Sequence, residues 1–358
     1  MRHCYLVTTF NHAAYIEDML GSLRAQYLTL EEFLSQARVL VVDDASTDHT
    51  AQVLRTMENK FSNVSVHLNL TNRGIGRNRN FLLDWFNSQA GAPDSFVAFV
   101  DGDDLLTKDH LKTKLALFAA EPELECVGGQ LELFYDNDHP RHVVDTFSPD
   151  PEIQAIANVF ECHFYISNAL FRGRVFARPD VRFPETPTSE DWLFFATHPL
   201  RKRHCREVTL YYRRHVHNLT TRAFEDGLVF GLRKTARALS LLKMGVHPSD
   251  RETQLLDLVG YLSFRSRWNA SLPVNALHCH MPWFAYLHQQ PRLVQTWPYV
   301  RRELRALFDK LIESNSRIPA YSPQKLAAFL TQLLELADAE VAQSSAPSPC
   351  STEKVPTP

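Results

Sequence analysis

Apolar residues in the first hundred positions come in short dense runs, separated by longer stretches where they recur at helical spacing. Tyr5–Thr9, Val39–Val42, Val64–Leu68 and Phe96–Val100 read as strands. Val39–Val42 is a continuous apolar run, the pattern of a strand buried on both faces. Between these runs, Ala14–Ala25 places Ile16, Met19, Leu20 and Leu23 on one helical face. Thr47–Asn59 reads as a helix, with Ser46 as candidate N-cap and Asp48 in its first turn, and Arg77–Phe86 as a third. This βαβα alternation predicts an α/β fold with a mostly parallel sheet flanked by helices.

Lys108–Ala120 continues the pattern as an amphipathic helix stopped near Pro122. Cys126–Phe134 and Ala169–Phe176 read as strands, and Trp192–Thr197 as the start of a helix. After Ala223 the strand signals fade. Leu228–Met244, Gln254–Phe264, Tyr299–Ile312 and Pro323–Ala342 read as helices. The expected organisation is an α/β domain over 1–224, a helical C-terminal region over 225–342, and a disordered Ser/Pro/Thr-rich tail over 343–358.

Composition narrows the function classes. The 358 residues are 44% hydrophobic and 22% charged, with a formal net charge of −3, which argues against a nucleic-acid binder. No apolar stretch approaches the ~20 residues of a membrane span, and Met1–Val7 lacks a signal peptide's apolar core and cleavage site. Six cysteines occur without any Cys-x-x-Cys spacing, so neither a zinc knuckle nor a disulfide framework is suggested. A reduced, cytoplasmic setting is expected.

The candidate chemistry lies where the predicted strands end. In an open parallel sheet, ligands bind beyond the carboxyl ends of the strands. Thr8, Thr9, Phe10 and Asn11 follow the first strand, and Asp43 and Asp44 the second. Asn72, Arg73, Gly74, Gly76 and Arg79 follow the third. The fourth runs into Phe-Val-Asp-Gly-Asp-Asp-Leu-Leu (Phe99–Leu106). Carboxylates as close as Asp101, Asp103 and Asp104 repel one another unless a cation or a raised pKa compensates. Hard divalent ions are commonly held by one or two carboxylates together with substrate phosphates. A solvated acidic turn explains this cluster alone, but poorly explains two acidic pairs and a Gly-Arg loop on one sheet edge.

These residues carry a family resemblance. Val7–Ile16 (Val-Thr-Thr-Phe-Asn-His-Ala-Ala-Tyr-Ile), Val41–Asp48 (Val-Val-Asp-Asp-Ala-Ser-Thr-Asp), Asn72–Asn80 (Asn-Arg-Gly-Ile-Gly-Arg-Asn-Arg-Asn), Val100–Asp104 and Ser189–Trp192 (Ser-Glu-Asp-Trp) follow one another as in the family 2 inverting glycosyltransferases. The resemblance covers residues 4–220 and implies the nucleotide-sugar-binding GT-A fold. It further implies that Thr9, Asn11 and the first turn meet the nucleotide and that Asp43 accepts a hydrogen bond from the base, a contact suited to uracil. Arg79 would lie near the base or diphosphate, or form a structural salt bridge. Asp101 would sit near the ribose, and Asp103 would bind Mn2+ or Mg2+ between diphosphate oxygens. Asp104 would orient that site or cap the following helix.

Asp191 is the family's position for the general base; a helix first turn also favours Ser189, Glu190 and Asp191 without any catalytic role. Glu190 would contact the acceptor or face solvent. A sugar hydroxyl is a poor nucleophile, so a carboxylate that takes its proton helps. A divalent ion would neutralise the departing nucleoside diphosphate. One base opposite the leaving group predicts a single displacement with inversion, through an oxocarbenium-like transition state.

A Tyr-Arg-x-His-like segment, Tyr211–His217, would return to the diphosphate, with His215 or His217 reaching a phosphate or the ion. Its arginines, and those of the neighbouring basic cluster Arg201–His204, would suit phosphate; a solvated strand end is the alternative. His278, Cys279, His280 and His288 match no trusted zinc spacing and read as structural, as do Trp283, Phe284 and Tyr286.

A dehydrogenase is excluded by the absence of glycine from the loop Thr8–Ala13, and a sugar nucleotidyltransferase by the absence of a glycine-rich first loop. The expected partners are a nucleoside diphosphate sugar, with UDP favoured, and a glycan or glycolipid hydroxyl, as in bacterial surface polysaccharide synthesis. The competing class is a non-catalytic nucleotide-sugar-binding scaffold, in which Asp103 or Asp191 should be lost. Arg301, Arg302 and Arg305 on an amphipathic segment suit either a solvated face or a peripheral contact with an anionic membrane.

Overall fold

The computed structural model describes residues 2–136, 141–144, 146–160, 162–215, 218, 228–268 and 292–344. The chain opens with strand β1 (His3–Thr9), helices α1 (Ile16–Arg24) and α2 (Leu30–Gln36), β2 (Ala37–Asp43), α3 (Thr50–Lys60), β3 (Val64–Leu68), α4 (Ile75–Asn87) and β4 (Phe96–Asp101). Strands β3, β2, β1 and β4 lie side by side and parallel. Every residue of β1 is buried, and the alternation of its side chains shows why. Tyr5 and Val7 join a core on one face with α1, α2 and α3; Cys4 and Leu6 join a second core on the other face with α4. Val39 and Val41 against Leu40 and Val42, and Ala98 and Val100 against Val97 and Phe99, divide the same way. The continuous apolar runs are thus strands covered on both faces.

Beyond β4 the sheet becomes mixed. The next elements are β5 (Leu105–Leu106), α5 (His110–Ala120), β6 (Cys126–Tyr135), β7 (His142–Val144), α6 (Pro151–Phe160), β8 (Leu170–Arg172), α7 (Glu190–Thr197) and β9 (Lys202–Arg214). The sheet order continues β4-β8-β6-β9-β5, with β7 against β6. The strand expected over Ala169–Phe176 is only β8 long. Gly173–Val175 turns away as 3-10 helix, and a Cβ on Gly173 would come within 1.9 Å of the Ala92 carbonyl oxygen.

Of strand β9 the sequence suggested only a solvated strand end, yet it positions the site. It runs parallel to β6 with register shifts around Gln130, and antiparallel to β5. It thereby delivers Arg213 and His215 to the loop that follows β4. The basic cluster at its start is committed elsewhere: Arg201 pairs with Glu123, Arg203 pairs with Glu121, and His204 is buried.

Helices α8 (Leu228–Leu242), α9 (Asp250–Trp268), α10 (Arg292–Arg317) and α11 (Pro323–Ser344) form a third core. Helix α6 belongs to that core too, through Ile156, Val159 and Phe160. Lys325 strengthens the join by pairing with Asp150 and Glu152 at the start of α6, at 2.7 and 2.9 Å. Within this bundle Arg301 pairs with Asp338 and Arg305 lies near Asp309, so two of the three basic residues on that segment already have acidic neighbours. No helix among the described residues is long and apolar enough to cross a membrane. The His278–His288 cluster and its aromatic neighbours lie outside the described residues, as do His217 and the tail from 345.

Candidate active site

Parallel pairing of β1 with β4 sets Thr8 opposite Asp101, and the Thr8 hydroxyl donates to Asp101 Oδ1 at 3.1 Å. The loop after β4 then turns tightly over β1. A Cβ on Gly102 would fall 2.6 Å from the Thr9 hydroxyl and 2.9 Å from His12 Nδ1, so only glycine fits beneath this turn. Thr9 itself is buried there, its hydroxyl without a hydrogen-bond partner. Asn11 adopts a positive φ of 57° and ties the first turn to the second. Its backbone N–H donates to Ser46 Oγ, and its carboxamide oxygen accepts from the Thr47 N–H, both at 2.8 Å.

Asp43 and Asp44 diverge. Asp43 closes a local turn by accepting from the Ser46 N–H at 3.1 Å and from the Ser46 hydroxyl. Burial raises its carboxyl, although both Ser46 hydrogen bonds oppose the shift. This use of Ser46 corrects its expected capping role: α3 begins at Thr50, whose N–H is held by Asp48 Oδ1 at 2.9 Å. Asp44 accepts from the N–H groups of Arg73 at 2.7 Å and Gly74 at 2.9 Å, shaping the loop into α4.

Asp103 is the centre of the second cluster. Its Oδ2 meets His215 Nε2 at 3.0 Å, accepts from Asn218 Nδ2 at 3.2 Å, and lies 3.6 Å from His12 Nε2. One ligand atom from each of His12, Asp103 and His215 lies within 4.8 Å of the others. Burial alone would raise the Asp103 carboxyl. The electrostatic pull of His12 and the hydrogen bond with His215 outweigh it and hold the group below the usual carboxylate range. A carboxylate with two imidazoles is a donor set that fits a divalent ion. Tyr15 stacks on the His215 ring with centroids 5.0 Å apart, fixing its orientation. His12 and Asn218 were not singled out by sequence reasoning. Each lies far along the chain from Asp103, and neither belongs to a local ligand spacing.

Asp104 is fully buried and does not cap the next helix, whose N-cap position is Asp109. Its Oδ1 accepts from the Arg213 N–H at 3.0 Å. Burial, with the neighbouring carboxylates Asp103 and Asp101 adding to it, pushes its carboxyl well above the ordinary range. Arg213 is also buried, with its Nε donating to the Asp103 carbonyl at 2.9 Å and its guanidinium paired with Asp136. It braces the acidic loop, contrary to the expectation that this arginine is offered to a diphosphate.

Arg79, on α4, is buried between two acids. It donates to Asp101 Oδ1 at 3.1 Å and to Glu190, the salt-bridge alternative left open by the sequence. Glu190 therefore does not face solvent; it is buried at the start of α7. Burial pushes its carboxyl up to about 7, Arg79 opposing and Asp191 adding to the shift. Asp191 is half-buried beside it. Its Oδ1 accepts from the Trp192 N–H at 2.7 Å, and the Cys162 thiol points to Oδ2 at 3.6 Å. Burial raises its carboxyl, against the pull of Arg79. Arg79 thus links the acidic loop on the sheet edge to the Glu190–Asp191 pair.

Residues 4–178 match the family model Glycosyl transferase family 2. The chain carries a family 2 glycosyltransferase domain. The poly(ribitol-phosphate) beta-N-acetylglucosaminyltransferase TarS of Staphylococcus aureus is 29% identical over 195 residues, which are 54% of this chain and 32% of TarS. The chain thus spans about a third of the length of that relative. The putative glycosyltransferase EpsH of Bacillus subtilis is 25% identical over 240 residues, covering 62% of this chain and 65% of EpsH. Among solved structures, S. aureus TarS 1–349 in complex with UDP-GlcNAc superposes with a TM-score of 0.54 at 22% identity. That match covers 96% of this chain and 89% of that one. The likeness shows that the two share their fold.

Proposed function

We propose that this domain transfers a sugar from a nucleoside diphosphate donor, with UDP favoured, to a hydroxyl of a glycan or glycolipid, with inversion at the anomeric carbon. The relatives' names, with a poly(ribitol phosphate) glycosyltransferase among them, favour a cell-surface polymer as acceptor. The observation that carries the proposal is the Arg79 bridge. It joins Asp101, at the end of β4 two residues before Asp103, to Glu190, the neighbour of Asp191. Donor anchor and base then share one crevice.

In this reading Asp103 and His215 hold a divalent ion, Mn2+ or Mg2+, which when bound offsets charge on the donor's diphosphate. Asp43 and the first turn, with Asn11 and Thr9 at its base, receive the nucleoside, and Asp101 the ribose. Asp191 takes the proton of the acceptor hydroxyl as the new C–O bond forms and the anomeric C–O bond to the diphosphate breaks. Glu190, neutralised by Arg79, holds Asp191 in place and lines the acceptor side. Residues 1–224 would form the transferase unit and 225–342 a helical region packed beside it.

A panel of nucleotide sugars, each with Mn2+ or Mg2+, tests this through thermal stabilisation and then transfer to poly(ribitol phosphate) and other glycans. UDP-sugars should stabilise the protein in a metal-dependent way, and one should be consumed. Stabilisation without donor hydrolysis or transfer across the panel would favour the scaffold class instead.

A further inference from the structure

We infer that His12 is a third protein ligand, so that the ion is resident before any nucleotide arrives and Mn2+ is preferred to Mg2+. This rests on the metal reading of Asp103 and His215 given above. Three features of His12 carry it. First, its Nε2 faces the same carboxylate oxygen, Asp103 Oδ2, that His215 Nε2 faces, at 3.6 and 3.0 Å respectively. Ligand atoms about 2.0–2.2 Å from a common ion sit roughly 3–3.5 Å apart, so these separations need little adjustment. Second, 3.6 Å is too long for a hydrogen bond, and Nδ1 is buried without a partner. The imidazole is held in place while neither ring nitrogen makes a hydrogen bond.

Third, the placement is built by the backbone. The His12 N–H donates to Thr50 Oγ1 at 2.9 Å, and its carbonyl accepts the Tyr15 and Ile16 N–H groups that start α1. The Thr9 hydroxyl, also buried and unpaired, lies over Gly102 beside His12 Nδ1. No hydrogen bond joins the two, so position assigns the ligand atom: it is Nε2 that faces Asp103 Oδ2.

Two imidazoles and one carboxylate change the ion's chemistry. A site that supplies one carboxylate depends on substrate phosphate to complete Mg2+ binding. Imidazole nitrogens favour transition metals over Mg2+ and supply enough protein ligands to hold one without phosphate.

The test uses the full-length, metal-stripped protein with Mn2+ alone and no nucleotide. Pulsed EPR of the wild type should show coupling to two imidazole nitrogens, and His12→Ala should leave one. His12→Ala should also weaken donor-free Mn2+ binding by about tenfold or more, with Mg2+ competing more effectively than in the wild type. His12→Gln, which keeps a polar side chain in the slot, should lose the same coupling, and unchanged metal-free thermal unfolding would show that both variants fold. A single coupled imidazole in the wild type, or unchanged Mn2+ affinity in both His12 variants, would overturn the inference while leaving Asp103 and His215 in place. Loss of Mn2+ binding on His215→Ala would confirm the underlying metal reading separately. No Mn2+ binding by the wild type with donor present or absent would overturn both.

Discussion

At the start of α7, Arg79 faces Asp101 and Glu190 with almost no access to water, and Asp191 follows Glu190 in sequence. Burial raises the carboxyls of Glu190 and Asp191, with Arg79 opposing in each case. A general base works only when deprotonated, so the sign is fixed: transfer should rise as pH climbs through the raised value and fall below it. The acidic limb of kcat/KM should lie above the ordinary aspartate value of 3.8. A profile flat down to that value would contradict the assignment of Asp191. At this scale the sequence disclosed residue types but not their partners. Asp103 and Asp191 stand in recognisable local patterns. His12 lies within the Val7–Ile16 motif but in no ligand spacing, and of the two roles open to Arg79 the structure shows the salt bridge.

Among the elements, legibility followed burial. Strands β1, β2 and β4 were readable because each is covered on both faces and is largely apolar along its length, and edge strand β3 because Val64, Val66 and Leu68 alternate with polar residues and pack against one core. Strand β9 was legible only as a solvated strand end because Lys202–Arg214 mixes charged with bulky residues and its register against β6 slips twice. Helix α6 did carry a signal: Asp150 Oδ1 accepts from the Glu152 N–H at 2.9 Å, an acidic residue capping an apolar-periodic segment. Strand β9 also makes a testable demand on the acidic loop, because the Arg213 N–H donates to Oδ1 of the buried Asp104, whose carboxyl burial pushes well above the ordinary range. Asp104→Asn should therefore stay within about 1 kcal/mol of wild type in denaturant unfolding at pH 7. Asp104→Ala should cost about 1–3 kcal/mol by leaving that N–H unsatisfied. Equal losses in the two variants would show that the acceptor oxygen is not what Asp104 contributes.

Across the whole molecule, the cores do not divide where the sequence pattern changes. Ile156, Val159 and Phe160 come from the first 224 residues but pack among Leu256, Leu307, Leu330 and their neighbours. Each such side chain loses about 1.5–3 kcal/mol of burial if its cover is removed. A chain ended at residue 224 should bind a hydrophobic dye and unfold over a broadened transition. Cooperative unfolding at the full-length Tm would show the helical region to be an independent appendage.

The central claim is that this crevice binds a nucleotide sugar on one side and removes a proton on the other. It is tested most directly by Asp191→Asn assayed with the best donor, measuring donor affinity and transfer on the same preparation. The account predicts donor affinity close to wild type and transfer reduced by roughly 10²–10⁴-fold. Normal turnover by Asp191→Asn would contradict it.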